Sequence, residues 1–166
     1  MEYFDLVDEK DNIIKKIKET EQVQPSKLRF INIIIIDENK KIIVPKRSGN
    51  RRIFPNCYDF SVGGHVNSGE SYEQAAYREL KEELNIENVK LIEIGYFNPY
   101  KDNVDTFSKL YLLRYNNKIE EYDKEGITEI FYMTIDEIKK LIIKEPKKFK
   151  SDYEKMIKYI INKNII

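Results

Sequence analysis

Gly64-His65-Val66-Asn67-Ser68-Gly69-Glu70-Ser71-Tyr72-Glu73-Gln74-Ala75-Ala76-Tyr77-Arg78-Glu79-Leu80-Lys81-Glu82-Glu83-Leu84-Asn85-Ile86 is the stretch on which the reading of this chain turns. Ser71 followed three residues later by Gln74 forms a capping box, which predicts a helix starting at Tyr72. Asn85, which tolerates the left-handed conformation, predicts its end. On such a helix Ala76, Leu80 and Leu84 share one face and can pack on a sheet. Glu79, Glu82 and Glu83 stand at i, i+3 and i+4 and share another. Like charges at that spacing destabilise a helix unless something neutralises them. A solvated acidic face is the bland explanation. A hard divalent cation such as Mg²⁺, which takes carboxylate oxygens and joins them to substrate phosphates, is the chemical one.

Reading outward, residues 54–70 carry Pro55, Gly63, Gly64 and Gly69, and the glycines predict a loop with unusual backbone angles. Arg29 to Ile36 is β-branched and apolar almost throughout, as a central strand covered on both faces should be. Asp37–Lys40 turns the chain into a second strand, 41–47. Tyr3 to Val7 alternates as a short strand. Further strands are expected at 89–97, 106–115 and 127–133. Thr134 with Glu137 and Ser151 with Glu154 are two more capping boxes, opening helices at about 135–143 and 152–163 on either side of Pro146. The order predicts an α/β fold, a mixed β-sheet sandwiched between helices, in one domain over residues 1–166.

Composition limits what such a domain does. The 29 basic and 29 acidic residues cancel, which argues against a protein that coats nucleic acid. One cysteine, Cys57, excludes a disulfide framework and a cysteine zinc site, and suits a reducing, cytoplasmic setting. The start, Met1-Glu2-Tyr3-Phe4-Asp5, lacks the pattern of a signal peptide, and no apolar run approaches the length of a membrane span.

Gly64, Glu70, Arg78, Glu79, Glu82 and Glu83, with aliphatic Leu80 and Ile86, resemble the Nudix box, Gly-x₅-Glu-x₇-Arg-Glu-(aliphatic)-x-Glu-Glu-x-Gly-(aliphatic). A chance match in a chain of ordinary composition is on the order of one in a million, which weighs against the bland acidic face. Asn85 stands where the family has glycine, and as a left-handed helix stop it should do little damage. The resemblance implies a Nudix-type α/β/α sandwich and an Mg²⁺-dependent hydrolase, with Mn²⁺ as a substitute, that cleaves a diphosphate linkage in a nucleoside diphosphate-linked or related small molecule. Carried over residue by residue, Glu79, Glu82, Glu83 and the Gly64 carbonyl would hold the metal. Glu70 and Arg78 would form a structural ion pair tying loop to helix. The general base would be one of the helix glutamates, Glu79 or Glu82, or an acidic residue from a later region that holds Glu120, Glu121, Glu125 and Glu129. Glu125 is the candidate there. The resemblance also carries the expectation of a homodimer.

The flanks, Glu2–Glu9 and Phe54-Pro55-x-x-Tyr58-Asp59-x-Ser61-x-Gly63-Gly64-His65, are similar to the Nudix branch that includes type 1 isopentenyl-diphosphate isomerase. That isomerase requires a cysteine where this chain has Gly63, and several histidines where this chain has His65 alone, so the ligand chemistry argues for a hydrolase. A non-catalytic nucleotide-binding module is the other alternative; it would normally lack one of the box carboxylates. Lys46, Arg47, Arg51 and Arg52 cluster before the box, and Arg47 and Arg51, with His65, are candidates for holding a diphosphate, guanidinium being suited to bidentate phosphate contact. Tyr58, Phe97 and Tyr100 are candidates for stacking on a ring, with core packing the expected role of Phe97.

Overall fold

Isoleucines placed alternately along one strand build two cores at once. In the computed structural model, which describes residues 1–166, Arg29–Ile36 (β3) turns Ile31, Ile33 and Ile35 to one side and Ile34 and Ile36 to the other, as the two-residue period of a strand requires. On the first side they meet Ala75, Ala76, Leu80 and Leu84 of the helix Tyr72–Leu84 (α1). On the second they meet Ile138 and Ile142 of the helix Ile135–Lys144 (α2) and Tyr153, Met156, Ile157 and Ile160 of the helix Tyr153–Asn162 (α3). Helices therefore cover both faces, the sandwich expected from the sequence. Leu80 is fully buried, and cutting such a side chain to alanine typically costs about 2–5 kcal/mol.

The sheet contains Ile42–Arg47 (β4), Val62–His65 (β5), Ile92–Phe97 (β6), Phe107–Arg114 (β7) and Ile127–Met133 (β8) around β3, in the order β6-β7-β3-β4-β8, with β5 also paired to β3. The β3–β7 pair is parallel and the others are antiparallel, so the sheet is mixed. One edge of β3 is split. Phe30 to Ile33 pair with β5, whereas Ile36 pairs with β4. Ser61 fills the fork: its buried hydroxyl accepts from the Ile35 N–H at 2.8 Å and donates to the Ile43 carbonyl at 2.6 Å. Tyr3–Val7 (β1) and Ile13–Lys18 (β2) form a separate hairpin. It docks on the segment before α1, where Asp5 accepts from Ser68 Oγ at 2.7 Å and from the Gly69 N–H at 3.1 Å.

Three local expectations change. Strand β2 was not anticipated, because in Ile13–Lys18 only Ile17 is buried and no clean alternation reaches the sequence. Gly63 and Gly64 are not in a loop but in β5, and among the box glycines only Gly69 has a left-handed φ, at 85°. The Ser151–Glu154 capping box does not form: Asp152 is the N-cap, at φ 66°, and its carboxylate instead accepts from the Asp105 N–H at 2.9 Å. The boxes at Ser71 and Thr134 are both complete.

Candidate active site

Strand β5 runs beside the start of β3 and turns Gly64 to the face on which α1 lies. Gly64 is glycine because of what sits on it. An added Cβ would stand 2.7 Å from Glu79 Cγ and closer still to the Glu79 carboxylate. Glu79 is thus pressed onto the strand backbone. The Gly63 N–H donates to Glu83 Oε2 at 3.3 Å. Two of the three glutamates from the expected metal face are therefore seated against β5, while Glu82 is more open, with 57% of its side chain exposed.

Arg78 organises this corner. Its Nε and Nη2 grip Glu70 in a bidentate pair at 2.7 and 3.0 Å. Nη2 also donates to the His65 carbonyl at 2.9 Å, and Nη1 reaches Glu79 at 2.7 Å and Glu82 at 3.1 Å. The expected Glu70–Arg78 pair is present, and all five guanidinium N–H groups have partners. In this arrangement no three acidic or histidine side chains are gathered in metal-binding geometry; Arg78 draws Glu79 and Glu82 toward itself.

The electrostatics are those of carboxylates held out of water. Burial, then the neighbouring Glu79 and Asp59, push Glu83 up to about 8, against the charge of Lys150 and the Gly63 N–H. Burial also raises Glu79, although Arg78 opposes it. Glu70 goes the other way: burial would raise it, but its hydrogen bonds from Arg78 and from the Asn67 N–H outweigh that and hold it below its ordinary value.

These groups line a cleft of about 830 Å³. His65 is in its wall, stacked on Phe4 with ring centroids 4.6 Å apart and edge-on to Phe30 at 4.9 Å. Burial and the nearby Lys150 lower its pKa to about 4, so at neutral pH it is an uncharged ring. Arg47 and Arg51 also line the cleft, but their guanidinium groups are committed. Arg47 donates to the carbonyls of Phe54 and Ile53 and to Asp59 at 2.7 Å, clamping the loop between β4 and β5. Arg51 pairs with Asp123 at 3.2 Å and lies so close over Gly126 that a Cβ there would meet its guanidinium. Arg52 is the exposed member of the cluster in the cleft with no protein partner.

Several candidates are not brought here. Glu125 lies outside the cleft, and Asp123, two residues earlier, is the acidic side chain that the last turn supplies. Glu120, Glu121 and Glu129 are likewise outside; Glu121 instead accepts from Asn85 Nδ2 at 2.6 Å. Tyr58 packs on Phe131 and Phe149, Phe97 on Tyr159, and Tyr100 on Phe107. Two cleft residues had no signal in the sequence. Phe30 is hidden in the apolar run of β3. Lys150 arrives from just before α3, more than sixty residues beyond α1, because its N–H bonds to the Tyr58 carbonyl at 2.9 Å.

The family model described as NUDIX domain matches residues 27–159. A protein of Nostoc sp. described as an uncharacterized Nudix hydrolase is 38% identical over 164 residues, spanning 95% of this chain and 94% of that one. A Nudix hydrolase of Deinococcus radiodurans is 36% identical over 116 residues, 68% of each chain. Among solved structures, a crystal structure of a Deinococcus radiodurans protein matches with a TM-score of 0.90 at 28% identity, over 95% of this chain and 98% of that one. The NUDIX domain of Shewanella oneidensis NrtR, complexed with ADP ribose, matches at TM-score 0.63 and 12% identity over 87% of this chain and 91% of that one, a similarity of fold alone.

Proposed function

The chain belongs to the Nudix family, and on that premise we propose that this Nudix hydrolase cleaves a diphosphate linkage in a nucleoside diphosphate-linked or related small molecule, with Mg²⁺ or Mn²⁺ as cofactor. The observation that carries the reading is the seating of Glu79 and Glu83 against Gly64 and Gly63, inside a cleft large enough for a nucleotide-sized ligand. The donor set fits a hard divalent cation: it is all oxygen, and two of its carboxyls sit where burial and mutual repulsion oppose ionisation. Glu79, Glu82, Glu83 and the Gly64 carbonyl would hold the ion. Glu82 would have to leave Arg78, a small cost for so exposed an ion pair. Bound there, the metal would polarise the phosphoryl group and acidify water.

The protein groups supply the rest. Arg78 and Glu70 hold the helix to the loop, so that the glutamates keep their places when charge enters the cleft. A carboxylate of α1, Glu79 or Glu82, accepts a proton from water as its oxygen bonds to phosphorus and the anhydride P–O bond breaks. Glu125 does not line the cleft, which favours these two over it as base. Arg52 has the free guanidinium that Arg47 and Arg51 lack. The isomerase reading finds no support at Gly63, nor in a lone histidine wedged between two phenylalanines. A non-catalytic module is disfavoured by the complete set of box carboxylates. Residues 1–166 act as one unit in this reading, since Glu2 and Phe4 line the same cleft as α1. No helix is long and apolar enough to cross a membrane, and the single cysteine suits a cytoplasmic setting; a homodimer fits the family resemblance.

The test is a hydrolysis screen with Mg²⁺ or Mn²⁺ over nucleoside di- and triphosphates, ADP-ribose, dinucleoside polyphosphates, coenzyme A and prenyl diphosphates. Metal-dependent phosphate release is expected, reduced at least about 100-fold in folded Glu82→Gln or Glu83→Gln. Turnover indifferent to chelator, or unchanged in both variants, would overturn the reading.

A further inference from the structure

Lys150 is held in the cleft wall by backbone pairing rather than by its charge. The Tyr58 N–H donates to the Lys148 carbonyl at 2.7 Å, and the Lys150 N–H donates to the Tyr58 carbonyl at 2.9 Å, with Phe149 buried between. The side chain then runs over aromatic faces, its Nζ 4.3 Å from the Phe30 ring centre and 5.9 Å from that of Phe60. Only 13% of it is exposed.

The carboxylate it pairs with is already in use. Asp59 Oδ2 accepts from Arg47 at 2.7 Å, and Oδ1 accepts from the Phe60 N–H at 2.7 Å; Lys150 Nζ stands off at 3.4 Å. Arg47 already offsets the charge of Asp59, and the other carboxylates that feel Lys150, Asp152 and Glu83, make no hydrogen bond to it. An ammonium carries three N–H donors, and Nζ makes no hydrogen bond to protein at normal geometry. Burying such a group without partners is costly. The charge is also near enough to act on Glu83 and on His65, which places it beside the carboxylate end of the cleft.

We propose that Lys150 is a phosphate ligand of the substrate, its ammonium reaching from beside Asp59 to the non-bridging oxygens of the diphosphate. The chemistry that fits is a compact cation on a stem stiffened by two rings, aimed at an anion bound next to the α1 glutamates. Arg47, which the sequence favoured for this task, instead neutralises Asp59 and so frees Lys150 for it. The inference rests on the diphosphate reading of the cleft, but its test needs no turnover.

The probe is methylenediphosphonate, which carries a diphosphate's oxygens and cannot be hydrolysed, titrated calorimetrically in excess Mg²⁺ against wild type, Lys150→Met and Lys150→Arg. Methionine keeps a stem on Phe30 and removes the charge; arginine keeps the charge. A charge-assisted hydrogen bond to phosphate predicts a Kd raised about 10- to 100-fold in Lys150→Met and mostly restored in Lys150→Arg. Salt should weaken binding less steeply in the methionine variant. Melting curves confirm folding, and Lys150→Gln replaces the methionine variant if that one does not fold. A role confined to packing predicts a shifted Tm with unchanged Kd, and that result overturns the proposal, as does undetectable binding to wild type. A hydrolysis screen that finds no substrate would remove the proposed reaction while leaving a Lys150-dependent Kd intact.

Discussion

Replacing Gly64 with alanine, beside Gly63→Ala as its control, separates a glycine chosen for contact from one merely tolerated in a strand. At position 64 the new methyl would lie 2.7 Å from Glu79 Cγ and nearer still to the carboxylate. Carbon atoms rest at about 3.5–4 Å, so the side chain must retreat by about 1 Å or more. That movement breaks the 2.7 Å bond from Arg78 Nη1 to Glu79, a charge-assisted contact whose loss typically costs about 1.5–3 kcal/mol. Alanine in a strand recovers about 0.5–1 kcal/mol of backbone entropy, leaving a net loss of roughly 1–2 kcal/mol, or about 2–8 °C in Tm for a chain of this size. Activity should fall much further, about 100-fold, since displacing a catalytic group by about 1 Å has that effect. At position 63 the added methyl would meet Asn32 Oδ1 at 3.1 Å and Phe30 Cε1 at 3.3 Å. A shift of a few tenths of an ångström relieves both, and the variant should stay within about 1 kcal/mol and several-fold of wild-type rate. Thermal melts and metal-dependent phosphate release on the two variants decide the matter. Wild-type turnover in Gly64→Ala, or equal losses in both, would refute the argument that Glu79 is positioned by its contact with the strand.

Asn85 ends α1 at φ 51° and ψ 37°, so Asn85→Ala should cost about 1 kcal/mol of stability, whereas Asn85→Gly should lose only the contact to Glu121, within about 0.5 kcal/mol; equal melting temperatures for the two variants would contradict this. Glu70 has a folded-state pKa below its ordinary 4.5, so its contribution is present above about pH 4.5 and disappears as pH falls through the depressed value. Glu70→Gln should therefore be less stable than wild type by about 1 kcal/mol at pH 7 in urea denaturation, with the gap narrowing as the pH falls below 4.5, and a gap that does not change with pH would rule out ionisation as its source.

What could be read in advance was set by short-range chemistry. Helix α1 was legible at both ends because Ser71 and Gln74 satisfy each other's backbone within one turn, and Asn85 needs only its own dihedral angles. Strand β3 was legible because isoleucines facing both ways imply cover on both faces. Where a distant segment competes for the same group, the local signal fails. Ser151 and Glu154 spell a capping box, but Lys150 is tied to Tyr58, and the Asp152 carboxylate is taken by Asp105. Gly63 and Gly64 looked like turn residues because a sequence shows a missing side chain without its reason; here the space over Gly64 is filled by Glu79 and that over Gly63 is bounded by Asn32 and Phe30, and neither glycine has an unusual φ.

The cations show the same limit in a form that matters for function. Sequence placed Arg47, Arg51 and Arg52 together and favoured Arg47 and Arg51, but a basic patch does not say which guanidinium groups find acceptors within the protein. Guanidinium presents a rigid fork of donors, and once a loop folds back the carbonyls of Ile53 and Phe54 and the carboxylate of Asp59 consume Arg47. Arg78 is consumed in the same way by Glu70, Glu79, Glu82 and the His65 carbonyl. Arg47 and Arg78 thus serve as scaffold, with their guanidinium donors taken up inside the protein. With Asp59 hydrogen-bonded to Arg47, Lys150 stands off it at 3.4 Å; with Arg51 paired to Asp123, Arg52 is the guanidinium of the cluster without a protein partner. The cleft consequently sets an acidic helix beside two cations, one half-hidden on aromatic rings and one exposed, and a metal-bound diphosphate, as proposed, would meet charge of both signs there.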